Sequence, residues 1–563
     1  MASPRPPLRI RAWFDPSGWP AALLLAGALG LAFWLLALAS TAGTPPGTPP
    51  DEWAHITYVH ETTTGPNLLP DYKQSRILHA GKTRNYLGHP PLYYSLLGVA
   101  GRAFSLDAEA DYRVFRAISA GFVAFGLALW LLIARLLGFR LSPATALVLS
   151  VCAVPMFPYL AGSINNDNLA YLAVAIAFLG LTGLDRWPRI AWYIGAIGLG
   201  MALLTKGTAG LFLVLVFGMW FLATVTGSSR RMLLNRHFFI AILGLTLAVG
   251  GYYAFAYLHY GAFLPTSGTL RAGMTPPAEP MAFAAFLREF VFEMARHFTM
   301  IADHAPVAPL GTTGKWLCFA SIGLPATVFF GSISARWRGS AGRLAAIIVV
   351  ASTATLAVHI AITWEAYLRL GGVYSTQPRY YFYLLPGFAV FAFASYRDNL
   401  WSVRLFRAFV VVVIVASVLI PFQTIRVERL KHAPPQVIEF PLVPASGLQS
   451  ELELDRGNAG SIDRAHSVGS TIELRGWAVD IASFRSADRL DIYYGGLFVG
   501  TITPNRSRPD VAAALRDSDA RNAGFEGSIE GVPPGVSPCD LQYAAVQRSG
   551  RPMEILPSSA ICP

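Results

Sequence analysis

Eleven stretches of this chain are apolar over nearly the ~20 residues that an α-helix needs to cross a bilayer, and that repetition limits the fold more than any other feature. They cover Trp19–Thr41, Phe115–Leu137, Ser142–Leu160, Leu169–Leu184, Ile190–Thr205, Thr208–Thr226, His237–Leu258, Trp316–Ile333, Leu344–Trp364, Tyr380–Tyr396 and Phe406–Phe422. Only 14% of the residues are charged and 54% are hydrophobic, against roughly 25% charged in soluble domains. A soluble chain of 563 residues would have to hide that apolar surface in cores, whereas a bilayer removes the need. A cytosolic enzyme, a disordered chain and a disulfide scaffold are all excluded. The expectation is an all-α polytopic membrane bundle over residues 1–425, followed by a linker at 426–440 and a water-facing domain at 441–563.

The formal charge of +11 is explained by position. Arg5, Arg9 and Arg11, Arg135 and Arg140, Arg230, Arg231 and Arg236, Arg336, Arg338 and Arg343, and Arg397, Arg404 and Arg407 fall in short connections between apolar runs. That is the positive-inside pattern, with the N-terminus cytoplasmic. No loop interleaves basic and aromatic residues as a nucleic-acid groove does. The first run exceeds the 7–15 residues of a signal-peptide core, so an uncleaved helix is expected. An odd number of spans puts the C-terminus outside the cytoplasmic membrane, along with two long loops, 43–111 and 259–315. Within the second loop, Phe283, Phe286, Phe290 and Met294 recur at helical spacing between charged residues, the pattern of an amphipathic helix lying in the interface.

Beyond Val437 the runs shorten and alternate, as in Thr471–Leu474, Asp491–Tyr494 and Leu497–Val499, with Gly, Asn and Pro turns between them. This predicts a small periplasmic β-sandwich. Cys539 and Cys562 lie in it on the oxidising side and are candidates for a disulfide.

Ionisable residues at the outer ends of membrane helices are costly and often functional. Pro50-Asp51-Glu52-Trp53-Ala54-His55 follows the first span directly, and two adjacent carboxylates there suit general-base chemistry. The same residues also suit a helix N-cap. His89 and Tyr93, in Gly88-His89-Pro90-Pro91-Leu92-Tyr93-Tyr94, close the same loop. Asn165-Asn166-Asp167-Asn168 sets a carboxylate among amides, able to orient a sugar, hold a divalent metal or cap a helix. No convincing metal-ligand set emerges, and no cofactor is assigned. Lys206 and Arg379, the latter followed by Tyr380, are cations at outer helix ends, against the positive-inside bias, and an anionic phosphate is their natural partner. Neither G-x-x-x-x-G-K-[ST] nor His-Glu-x-x-His occurs, which argues against ATP-driven transport and zinc proteolysis.

The order of these motifs over residues 15–425 resembles the GT-C superfamily of polytopic membrane glycosyltransferases, such as protein O-mannosyltransferases and lipid A aminoarabinose transferases. It most resembles a bacterial membrane-protein family with Pro-Asp-Glu-x-x-His, Asn-x-Asp and Gln-x-Arg-Tyr, here Pro50–His55, Asn165–Asp167 and Gln377–Tyr380. The resemblance implies an inverting glycosyltransferase that moves a sugar from a polyprenyl-phosphate donor to a glycan, lipid or protein acceptor at the outer face of the bacterial inner membrane. It implies Asp51 as base with Glu52 as neighbour or alternative. Lys206 and Arg379 would bind the donor phosphate, and His55, His89, Tyr93, Asn166, Asp167 and Tyr380 would line the substrate pocket. Two other classes compete: a flippase for a lipid-linked sugar, which calls for charges at helix centres, and a non-catalytic anchor for the β-domain, which leaves Lys206 and Arg379 without a task.

Overall fold

The computed structural model describes residues 18–44, 51–65, 89–154, 156–225, 235–263, 280–298, 340–370, 376–395 and 404–413 of the helical part. A few single positions between these are described too. In the C-terminal part it describes most of 455–555 from strand to strand. The expected linker at 426–440 lies outside the described residues, as does most of the span expected at Trp316–Ile333. The residues form two compact units, one helical and one of strands.

Among the described residues five helices are long and apolar enough to cross a membrane: Trp19–Thr41, Tyr112–Leu136, Gly207–Thr224, Arg236–Tyr260 and Gly342–Leu368. The helical unit is built from α1 (Trp19–Thr41), α2 (Glu52–Thr64), α3 (Leu92–Phe104), α4 (Tyr112–Leu136), α5 (Leu141–Leu149) and α6 (Met156–Ala161). There follow α7 (Asn166–Gly183), α8 (Pro188–Leu203), α9 (Gly207–Val225), α10 (Arg236–Leu245), α11 (Gly251–Tyr260), α12 (Phe283–Phe298), α13 (Ser340–Leu370) and α14 (Leu385–Ser395). A short π-helical turn, Thr246–Gly250, joins α10 to α11 into one span.

Two further expected spans are not continuous α-helices. Residues 142–160 break into α5, a 3-10 turn at Ser150–Ala153 and α6. Val154 is extended at the break, the conformation that a following proline favours. The span expected at Tyr380–Tyr396 starts as a 3-10 helix, Pro378–Leu384, and only then becomes α14. Each irregular turn leaves backbone and side chains at the end of the bundle free to build something other than a helix.

The bundle packs on small residues, since lipid offers no hydrophobic drive between helices. A Cβ on Gly198 of α8 would stand 2.3 Å from the Ala177 backbone nitrogen and 2.7 Å from the Ala173 carbonyl oxygen of α7. Gly198→Ala is therefore expected to lower the thermal midpoint in detergent despite Ala's higher helix propensity. The same change at Gly218, with nothing within 4 Å of its added Cβ, is expected to leave it unchanged or raise it. The amphipathic helix expected in loop 259–315 is α12. Phe286 and Phe290 are buried against Trp364 and Tyr367 of α13, while Phe283, Val291 and Phe292 are exposed.

The second unit has β1 (Asp455–Arg456), β2 (Gly460–Val468), β3 (Thr471–Ala478), β4 (Arg489–Tyr494), β5 (Leu497–Ile502), β6 (Gly524–Glu530), β7 (Leu541–Val546) and β8 (Pro552–Ile555), in a five-stranded sheet ordered β1-β8-β7-β4-β5 and a three-stranded sheet ordered β2-β3-β6. Ile472 and Leu474 of β3 (Thr471–Ala478) point inward, with Glu473 and Arg475 exposed between them, the period-two alternation of a half-buried strand. Ile462, Phe525 and Ile529 from one sheet and Leu490, Ile492 and Tyr543 from the other share one core. The result is the small two-sheet sandwich that the sequence predicts. Cys539 is disulfide-bonded; Cys562 lies outside the described residues.

Candidate active site

The ends of α1, α2 and α4 are locked by one arginine. Arg116 enters from the first turns of α4 and donates to both oxygens of Glu52, at 2.8 and 2.6 Å. A third guanidinium nitrogen donates to the carbonyls of Thr44 (2.7 Å) and Thr41 (3.3 Å), which the end of α1 leaves without helical partners. Glu52 takes a further hydrogen bond from the Ile164 backbone N–H at 2.9 Å, and the Thr41 hydroxyl reaches the Gly162 carbonyl. Glu52 is completely buried. Its oxygens are committed to this joint, so Asp51 and Glu52 do different things although adjacent.

Asp51 stands at the N-terminal edge of α2 with φ 61° and ψ 9°. This left-handed conformation costs roughly 1–2 kcal/mol in most residues and less in Asp or Asn. The turn aims its carboxylate away from Glu52, at the guanidinium of Arg379, with which it forms an ion pair. Arg379 is buried in the 3-10 turn before α14.

A second ion pair lies beside the first. Asn165 caps α7, its side chain accepting from the Asp167 N–H. Asp167, in the first turn of α7, pairs with Lys206 in the short link between α8 and α9. Asn166 donates to the Thr205 carbonyl at 3.2 Å, and the Leu92 N–H donates to the Leu204 carbonyl at 2.9 Å. The link that carries Lys206 is thereby held by α7 on one side and α3 on the other.

Tyr380 joins the two pairs. Lys206 Nζ is 4.7 Å and Arg379 Cζ 5.5 Å from its ring centroid, so the two cations are no more than about 10 Å apart, roughly one Debye length. Two imidazoles complete the cluster. The rings of His55 and His89 lie 6.4 Å apart, nearly parallel, and His55 Nδ1 is 2.8 Å from the Tyr94 hydroxyl. Burial, then the neighbouring Lys206, pushes the His89 pKa down to about 4, with Asp167 and Asp51 opposing. Burial, then His89, likewise holds His55 well below its ordinary value.

His89 is therefore neutral at pH 7 both folded and unfolded. Between about pH 6.5 and 4 only the unfolded chain takes up its proton, so stability is expected to fall as pH drops through that window. Thermal midpoints in detergent at pH 7 and 5 measure the loss, and His89→Gln is expected to reduce the difference between them.

Of the residues singled out in the sequence, Asp51, Asp167, Lys206, Arg379, Tyr380, His55 and His89 meet in this cluster. Asn166 braces it from beneath. Glu52 and Tyr93 belong to the surrounding lattice. The Tyr93 hydroxyl is 2.9 Å from the Ser119 hydroxyl, which also accepts from Asn168, and Asn168 reaches the carbonyls of Leu160, Ala161 and Ser163. Tyr94 is the tyrosine that faces the imidazoles. The sequence candidates omit Arg116, although it too is a cation near the end of a membrane-length helix. His359 of α13 is a further addition, edge-on to Tyr380 at 5.5 Å with Nδ1 2.7 Å from the Tyr381 hydroxyl. Among the described residues no three His, Cys, Asp or Glu side chains gather as a metal site.

Desolvating ion pairs is rarely a net source of stability. Two of them converging from four separate segments, at the ends of membrane helices, point instead to a ligand with charge of its own. The pair of cations suits an anion, and the pair of carboxylates suits hydroxyl groups or a proton in transfer.

In comparison with solved structures, the chain is similar to ArnT from Cupriavidus metallidurans bound to undecaprenyl phosphate, at 16% identity over 70% of this chain and 78% of that one, with a TM-score of 0.34. It is also similar to the apo form of the Archaeoglobus fulgidus oligosaccharyltransferase, at 14% identity over 73% of this chain and 56% of that one, with a TM-score of 0.40. No curated protein matches it. Residues 71–388, more than half of the chain, match the family model described as a predicted membrane protein (DUF2142), and the chain belongs to that family.

Proposed function

We propose that this protein is an inverting glycosyltransferase of the bacterial cytoplasmic membrane, using a polyprenyl-phosphate sugar as donor at the outer face. The observation that carries the reading is the convergence of Asp51–Arg379 and Asp167–Lys206 on one aromatic ring. The likeness of its motifs to those of GT-C enzymes supports the same reading.

In this mechanism Lys206 and Arg379 bind the phosphate of the donor. An acceptor hydroxyl oxygen attacks the anomeric carbon as the bond from that carbon to the phosphate oxygen breaks. The hydroxyl proton passes to the Asp51 carboxylate. Polyprenyl phosphate leaves with the bonding electrons, and the two cations stabilise the charge that grows on it, a preorganised electrostatic effect. Attack from the face opposite the leaving group inverts the anomeric centre. The Asp167 carboxylate accepts hydrogen bonds from sugar hydroxyls, and the neutral His55 and His89 offer further hydrogen bonds without adding charge.

The test uses full-length protein in proteoliposomes with a panel of polyprenyl-phosphate sugars, following release of polyprenyl phosphate. Release that depends on Arg379 and Lys206 is expected, with each alanine variant lowering kcat/KM by at least about a hundredfold. Movement of the intact lipid-linked sugar across the bilayer without release would establish transport in its place.

A further inference from the structure

Both cations assigned to the donor phosphate already hold a carboxylate. Arg379 holds Asp51 and Lys206 holds Asp167, with all four side chains largely shielded from water. The oxygens of a phosphate entering this cluster and the carboxylate oxygens seek the same guanidinium fork and the same ammonium, so the phosphate competes with Asp51 and Asp167 for those donors.

We infer that the carboxylates are internal stand-ins for the phosphate, and that donor binding is an exchange in which Arg379 is passed from Asp51 to the phosphate. The inference rests on the assignment of Arg379 and Lys206 to a phosphomonoester or phosphodiester group. Two consequences follow from the geometry.

The exchange couples donor binding to catalysis. While Asp51 is paired with Arg379, its oxygens face a cation and are poor acceptors of a proton from a hydroxyl. Once the guanidinium turns to the phosphate, the Asp51 carboxylate is released beside the new anion, which favours its taking up a proton. The base is thus armed only when the leaving group is in place, and the order is donor first, acceptor second. The Arg116–Glu52 joint allows this, since it holds the backbone at residue 52 without using the Asp51 side chain. The exchange also keeps the site neutral when empty, since each buried cation retains a counter-ion.

Removing a competitor strengthens binding. Asp51→Asn takes away the carboxylate that competes for Arg379, and Asn tolerates the left-handed backbone that Asp51 adopts. The inference therefore makes an unusual demand: the variant that loses turnover must bind the phosphate more tightly. Asp167→Asn makes the same demand through Lys206.

The experiment is titration of full-length protein in detergent micelles with farnesyl phosphate, with farnesol and with inorganic phosphate as separate arms. Asp51→Asn is expected to bind farnesyl phosphate about tenfold more tightly than the unaltered protein, in line with the coupling of close charge pairs, with Asp167→Asn shifted in the same direction. Farnesol is expected to show no difference between the proteins. A matching gain with inorganic phosphate would assign the exchange to the phosphate group itself, and a gain with farnesyl phosphate alone would require the lipid tail to present it; both outcomes support exchange. Equal or weaker binding of farnesyl phosphate by both variants, with the unaltered protein binding normally, would overturn the exchange and leave the phosphate site standing. No binding of either phosphate by the unaltered protein would overturn the phosphate site and the exchange together.

Discussion

Asp51→Asn is expected to reduce sugar transfer by roughly 10²–10⁴-fold, the range that a positioned general base contributes, while leaving the protein folded. The substitution keeps the shape of the side chain and accepts the left-handed backbone, but removes the proton acceptor. It also replaces the ion pair with Arg379 by a hydrogen bond from the guanidinium to a neutral amide oxygen. Two measurements decide the case: single-turnover transfer under saturating donor, and the thermal midpoint of the same preparation. Loss of turnover with a midpoint within a few degrees of the unaltered protein places the base at Asp51. Undiminished turnover would remove Asp51 from the chemistry and leave it a counter-ion of Arg379, its side chain making no capping hydrogen bond to α2. Glu52→Gln gives the contrasting pattern, because Glu52 is buried, held by three hydrogen bonds, and has no path to a substrate without breaking them. Its main expected effect is a lower midpoint.

The difference between these neighbouring carboxylates shows where sequence reading stops. Adjacent residues at a helix start look like one acidic patch, yet successive side chains on a helix point about 100° apart, and the left-handed turn at Asp51 widens the separation. The same geometry divides Tyr93 from Tyr94, one turned to Ser119 and the other to His55. Lys206 and Arg379 were legible because a cation on the side expected to be outer contradicts the charge bias expected of the whole chain. Arg116 contradicts it equally but is absorbed at the edge of a long apolar run, where a single charge barely changes the hydropathy. The helical and β parts were legible from periodicity and length alone. The breaks at Ser150–Ala153 and Pro378–Leu384 were not, since hydropathy averages over the prolines and backbone turns that create them. Those breaks matter for the site: the second of them carries Arg379 and Tyr380.

Arg116→Ala has the largest expected effect on stability. It strips two hydrogen bonds from a fully buried Glu52 and takes one donor each from the Thr41 and Thr44 carbonyls. Removing one member of a buried pair costs about 3–5 kcal/mol, chiefly through the uncompensated charge that remains. Little folded protein is expected at 37 °C, and what is recovered in detergent is expected to unfold well below the unaltered protein. Arg116→Lys is expected to fall between them, since a point charge cannot reproduce the two-pronged contact with Glu52. A paired replacement, Arg116→Met with Glu52→Met, separates two tasks that the single change confounds. It removes both charges together, so much of the lost stability is expected to return. Transfer activity is not expected to return with it, because the guanidinium no longer ties the end of α1 to the start of α2, and the backbone that aims Asp51 at Arg379 loses that support. A double variant that regains both stability and activity would reduce the Arg116–Glu52 joint to packing alone. One that regains stability only would make the joint the support on which the placement of the base depends.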